Sequence, residues 1–346
     1  MDTRSANNRF ERLFNNRSAA AAAALFLVTV TALTVYGHIL DYPFVYDDEP
    51  LIPENERLRS LEHFDSPVEL LRPRALADLT LALNYRFGTY DVTGYHLINI
   101  LIHVTNGWLV FFLAYQLLRS LGRFTPERTA AAALFTALIF TVHPVQTQAV
   151  TYTIQRYASM AALFYMTAML FYIKARNCHR NQVLYAVLTC VCAVCAMVCK
   201  ENAASLPFAF LTTEYLLFRK NRPGWKKKIL WFAGCLTGWV LFILYLRGFF
   251  NSTDTPGSIV STISGLMQET HRIGRWQYLC TQFNVLCIYI RLLLLPVKQN
   301  LDYLYLFKEG FFDGLTPLAF LFLTGVLGTG IYVRKKLPLI TYGILW

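Results

Sequence analysis

The sequence predicts an all-α integral membrane protein: a multi-span helical bundle with two large extracytoplasmic loops that bear juxtamembrane helices. Three observations predict it. Of the 346 residues, 55% are hydrophobic and only 15% are charged. The apolar excess comes in long blocks, not in alternating or heptad patterns, which is the composition of a membrane protein and not of a soluble domain. Finally, 19 basic and only 3 acidic residues (Asp2, Glu11, Glu127) lie in the leader and in segments 119–128, 174–181, 219–228 and 334–336. Basic residues concentrated in every second connection mark the cytoplasmic side.

Residues 1–17 form a basic cytoplasmic leader with Arg4, Arg9, Arg12 and Arg17. The transmembrane domain covers 18–346 and opens with 18–40, which is 23 residues without a charge. At about 1.5 Å of rise per residue, that length crosses the roughly 30 Å hydrocarbon core. No small-x-small cleavage site precedes the acidic segment that follows, so the span reads as an uncleaved anchor. Further spans are predicted at about 95–118, 129–143, 157–174, 182–199, 203–218, 229–247 and 314–333. A last apolar run, 337–346, stops after ten residues, so the chain reads as truncated.

Residues 273–296 are treated differently. Gln282, Asn284 and Arg291 load this run with polar groups, and letting it cross would move Arg334, Lys335 and Lys336 outside. It is assigned to a juxtamembrane or re-entrant helix on the outer face. The outer loops are then 41–94, with 11 acidic and 5 basic residues, and 248–313.

The net charge of +11 is mostly this topology signal. A nucleic-acid partner is excluded, because no basic groove with interleaved aromatics occurs. Cys190, Cys192, Cys195 and Cys199 resemble a ligand cluster by spacing alone, but they lie in an apolar helix. Small, soft residues there suit close packing in lipid.

Chemistry is sought at the outer rim. The stretch FVYDDEPLI (44–52) places Asp47, Asp48 and Glu49 between apolar and aromatic flanks directly after the first span. A carboxylate held partly desolvated at the membrane surface has the basicity to take a proton from a hydroxyl. A solvated acidic stretch is the plainer alternative. His96, Asn99, His103 and Asn106 are spaced 3, 4, 3 and so share one helical face. Interhelix hydrogen bonding accounts for His103 and Asn106, while His96 lies nearest the acidic loop. In VHPVQTQAVTYTIQR (142–156), Pro144 breaks an apolar run and brings His143 and Arg156 to the outer surface. With Arg72, Lys200 and Arg291 these form a set of outer cations suited to gripping phosphate. No GxxxxGK, GxGxxG, HExxH or GxSxG motif occurs.

The segments FVYDDEPLI, RPRALADLTLALNYRFGTYDVTGYHLINILIH (72–103), VHPVQTQAVTYTIQR, KENAASLPFAFLTTEYLLF (200–218) and YIRLLLLPVKQNLDYLY (289–305) carry a resemblance. In that order they resemble the membrane half of the transmembrane O-mannosyltransferases that bear tetratricopeptide repeats, especially their bacterial relatives. The resemblance implies a GT-C-type glycosyltransferase that takes a sugar, mannose among the candidates, from a polyprenyl-phosphate-linked donor. The acceptor would be a hydroxyl of protein Ser or Thr, or of a glycan, outside the cytoplasm. Asp47 or Asp48 would then be the general base. Arg72, His96, His143, Arg156, Lys200 and Arg291 would bind the donor phosphate or the substrate.

No cofactor is required by the sequence. Some relatives hold a divalent cation at the acidic motif, and Asp47, Asp48 and Glu49 offer oxygen ligands. The resemblance further implies a bacterial cytoplasmic membrane, with the N-terminus inside and the active site outside. No 34-residue repeat occurs in the chain, which leaves the acceptor class open. Gln146 and Gln148 depart from the pattern of animal relatives, which leaves the sugar open. The competing readings are a transporter or flippase of a lipid-linked saccharide, and an inactive truncated membrane anchor.

Overall fold

A computed structural model describes residues 17–178, 180–218, 274–303 and 305–346. The leader up to residue 16, the basic segment 219–228, the apolar run 229–247 and residues 248–273 of the second outer loop lie outside the described residues. Among the described residues there is no strand. Two compact units divide the chain, Met1–Phe210 and Leu211–Trp346.

The first unit opens with α1 (Arg17–Tyr36), prolonged by a 3-10 turn over Gly37–Ile39. The connection that follows folds into three helices, α2 (Asp48–Leu51), α3 (Pro67–Leu70) and α4 (Ala75–Gly88). Next comes α5 (Val92–Leu121), which starts where the Asp91 side chain accepts the Thr93 N–H. It ends at Gly122, whose φ of 64° is a left-handed conformation that glycine adopts without strain. Thr125 and Pro126 open α6 (Pro126–Val142), and the pair His143–Pro144 closes it. After α7 (Gln146–Thr151) and a 3-10 turn (Thr153–Gln155), α8 (Arg156–Asn177) and α9 (Gln182–Cys199) form a hairpin. A 3-10 turn (Glu201–Ser205) leads to α10 (Leu206–Thr213); residues from Leu211 on, with the π-helix Glu214–Phe218, belong to the second unit.

Helices α1, α5 and α6 meet through small residues. Ala24, Val28, Ala133 and Ala137 are buried against Phe111. Lipid tails are as apolar as these side chains, so helix association in a membrane gains little from hydrophobicity and depends on close packing and polar bonds between helices. Both are present. Gly107 sits so close to its neighbours that an added Cβ would come within 2.7 Å of Val28 Cγ1 and 2.9 Å of Thr141 Oγ1. The predicted polar stripe of α5 supplies the bonds. Asn99 Nδ2 donates to the carbonyls of Val150 and Thr153, and Asn106 Nδ2 donates to that of Ser159. The His103 Nε2–H donates to Thr141 O at 3.1 Å.

The second unit contains α11 (Arg275–Leu294), α12 (Thr316–Val333) and α13 (Pro338–Leu345). The sequence reading keeps α11 at the surface because of its polar load. Yet α11 is continuous, and Asn284 is buried, donating to Thr316 Oγ1 at 2.9 Å and to Cys280 O at 3.1 Å. Asn284 is thus satisfied inside the unit, Arg291 is exposed, and α11 has the length and apolarity of a span. Six helices among the described residues are long and apolar enough to cross a membrane, and the chain is a multi-pass integral membrane protein.

Candidate functional site

The two adjacent acids of the loop between α1 and α5 part company. Tyr46 takes a left-handed φ of 50°, a sparsely populated conformation for a bulky residue. The turn it makes sends the next two side chains to opposite environments. Asp47 is exposed and stands at the N-cap of α2, yet its side chain makes no capping bond. Asp48 is fully buried. Its Oδ1 accepts the Ile154 N–H at 2.7 Å, and its Oδ2 accepts those of Val45 at 3.2 Å and Thr153 at 3.4 Å. Burial pushes the Asp48 carboxyl above its ordinary range, the three N–H bonds oppose that shift, and the charge of Asp47 adds to it. Asp48 therefore fastens the loop to the turn that leads into α8.

Asp47 is fastened to the same turn. The Tyr152 hydroxyl accepts the Asp47 backbone N–H at 3.0 Å. Burial pushes the Tyr152 phenol up to about 12, so it stays protonated and remains a donor at ordinary pH.

Arg156 begins α8 and is fully buried. Its Nε donates to Asn99 Oδ1 at 2.8 Å, its Nη1 to Asn84 Oδ1 at 2.6 Å and Thr80 Oγ1 at 3.3 Å, and its Nη2 to Tyr95 O at 2.8 Å. A buried charge is tolerable only when such bonds replace its water. The sequence places Arg156 among the outer cations, whereas here its guanidinium ties α4, α5 and α8 together.

His96 is also fully buried, its Nε2–H donating to Tyr42 O at 2.9 Å, which holds the entry to the loop. The Nδ1 of His143 accepts the Val145 N–H at 3.2 Å at the break after α6. Arg72 pairs with Glu69 at 2.8 Å. It lines an open cleft with Glu56, Arg57, Glu62, His63 and Glu69, in which acids balance the cations. Arg291 is exposed on α11 in the second unit. Lys200 is half-buried at the end of α9, and burial together with the nearby Arg74 guanidinium pulls its ammonium below the ordinary lysine range, against the pull of Glu201.

Two further residues, Arg74 beside Lys200 and Asp78, escape the sequence reading. Arg74 lies 3.9 Å from the Glu201 carboxylate and stacks its guanidinium over the Tyr157 ring at 5.5 Å. Asp78, one helical turn later, is buried and accepts the Tyr157 hydroxyl at 2.6 Å. An acid inside the apolar run ALADLTLAL was the available signal for Asp78. Nothing local marks Tyr152 or Arg74. Residues 152–157 thus organise the site, with the acidic pair docked on residues 152–154 and the Arg74–Asp78 face on Tyr157. No three His, Cys, Asp or Glu side chains gather to hold a metal among the described residues, and both Asp48 oxygens are already engaged.

The chain is 30% identical over 197 residues to the Drosophila melanogaster Protein O-mannosyl-transferase Tmtc1, a match covering 52% of this chain and 21% of that protein. It is 28% identical over 206 residues to the human Protein O-mannosyl-transferase TMTC4, covering 53% of this chain and 28% of that protein. With the Xenopus laevis Protein O-mannosyl-transferase tmtc2 it shares 27% identity over 263 residues, 68% of this chain and 30% of the relative. The chain thus spans less than a third of the length of these curated relatives. No protein-family model matches it, and no solved structure does.

Proposed function

We propose that this chain is a GT-C-type glycosyltransferase. It transfers a sugar, mannose by similarity to its relatives, from a polyprenyl-phosphate-linked donor to a protein Ser or Thr hydroxyl on the extracytoplasmic face. The observation that carries the reading is the split acidic pair on a multi-pass membrane bundle similar to named O-mannosyltransferases. Asp48 is consumed by backbone N–H groups, while Asp47 keeps an exposed carboxylate that no helix cap uses.

In this reading the Asp47 carboxylate takes the proton of the acceptor hydroxyl as its oxygen attacks the anomeric carbon. The bond from that carbon to the donor phosphate oxygen breaks, and the lipid phosphate leaves with its electrons. Lys200 and Arg74 form the cationic pair offered to that phosphate, a role in which charge-assisted bonds are strong. Arg72 and Arg291 are further candidates, while Arg156, His96 and His143 support the frame. The membrane would be a bacterial cytoplasmic membrane with the N-terminus inside. No step is routed through a metal ion.

The test supplies membranes containing the full chain with a labelled polyprenyl-phosphate mannose and Ser/Thr-containing acceptor peptides. Wild type should label the peptides, and Asp47→Asn should lower turnover by about 10²- to 10⁴-fold while donor binding persists. A wild type that transfers nothing, or an Asp47→Asn variant as fast as wild type, overturns the reading.

A further inference from the structure

Asp47 has a problem of position. It is exposed, it follows an irregular stretch from Tyr42 to Val45, and its side chain takes no part in capping α2. A carboxylate meant to meet one hydroxyl needs its orientation fixed, because general bases act only within hydrogen-bond reach of the proton they remove. One side chain fastens the Asp47 backbone. The Tyr152 hydroxyl accepts its backbone N–H at 3.0 Å. Tyr152 is itself 6% exposed, and it precedes the two residues whose N–H groups hold Asp48. The phenol is therefore rigid on a frame that the neighbouring acid already clamps.

We propose that Tyr152 is the positioning residue of this site, its hydroxyl holding the Asp47 backbone and so the direction in which the carboxylate leaves the loop, while Asp48 locks the turn on which Tyr152 sits. This rests on the transferase reading for its catalytic consequence. The geometry makes Tyr152 act through Asp47, so its contribution disappears once Asp47 no longer serves as a base. A residue that merely stabilised the bundle would act independently of Asp47.

Tyr152→Phe removes one oxygen and keeps the ring in its packing. The experiment measures kcat and KM for donor and acceptor in wild type, Tyr152→Phe, Asp47→Asn and the double variant, in the same membranes with labelled polyprenyl-phosphate mannose. Tyr152→Phe should lower kcat about 10- to 100-fold at unchanged donor KM, because the Asp47 N–H loses the acceptor that holds it. The double variant should be no slower than Asp47→Asn. Losses that multiply in the double variant, a change in donor KM alone, or full activity in Tyr152→Phe would each overturn the positioning role while leaving the transferase reading intact. A wild type without transfer overturns the transferase reading and the catalytic role of Tyr152 together.

Hydrogen exchange guards against simple misfolding. Faster exchange confined to residues 45–49 in Tyr152→Phe supports the latch, whereas faster exchange throughout α5 and α8 shows a general structural role and overturns it.

Discussion

Asp48 and Ile154 stand 106 residues apart in the chain and meet at 2.7 Å, carboxylate oxygen to backbone N–H. This contact joins the loop after α1 to the 3-10 turn that precedes α8. The same carboxylate also receives Thr153 and Val45, so one buried side chain settles three N–H groups that would otherwise be unpaired.

Asp48→Asn puts an amide N–H₂ where N–H donors converge, leaving at least one of them without an acceptor. The expected cost is about 1–3 kcal/mol of stability, with faster amide exchange at Thr153 and Ile154. Native exchange rates at those two amides in the variant would count against the clamp.

Arg156→Lys keeps the charge but loses the planar fork that reaches Asn84, Asn99 and Tyr95 together. Thermal unfolding in detergent should show a loss of about 2–5 kcal/mol, since a buried charge and several buried acceptors lose partners at once. A wild-type melting temperature would remove Arg156 from its place as the hub of α4, α5 and α8.

Gly107→Ala adds a methyl where Val28 and Thr141 already crowd the backbone. Overpacking should destabilise the α1–α5–α6 contact by about 1–3 kcal/mol. Val28→Ala in the same chain should recover part of that loss, because it removes the nearest clashing atom. Failure of that rescue, scored by melting temperature, would point to a cause other than the clash.

Lys200 titrates below the ordinary lysine value of 10.5 because burial and Arg74 disfavour its charge, while Glu201 favours it. With the folded pKa below the unfolded one, the unfolded chain binds more protons in the window between the two. Stability contributed by this residue therefore rises as pH climbs through that window towards 10.5, and it is lost as pH falls through the lowered folded value. Glu201→Gln should lower the Lys200 value further. Competitive labelling of the amine against pH reads it directly, and an unchanged or raised titration in Glu201→Gln would contradict the arrangement.

The helices were legible because their causes are local. The 23 charge-free residues 18–40, the Asp91 cap and the Gly122 stop of α5, and the Pro144 break are all written within a few residues of the feature they set. The stripe His96, Asn99, His103 and Asn106 was legible for the same reason, since helical periodicity alone puts it on one face. The charges were harder. Arg156 reads as an outer cation by its place beside Pro144 and the Gln-rich turn, and only its partners on α4 and α5 show that it is enclosed. The partner that satisfies Asn284 was hidden likewise, since it lies 32 residues away on α12.

The sequence by itself determined a multi-pass helical membrane protein with an acidic pair at the mouth of its first span, because apolar length, caps and breaks act over neighbouring residues. Only the tertiary structure decided which acid is free. Asp47 and Asp48 are chemically identical and adjacent, and no local pattern separates them. Contacts with Tyr152 and Ile154, more than a hundred residues away, bury one carboxylate and leave the other exposed.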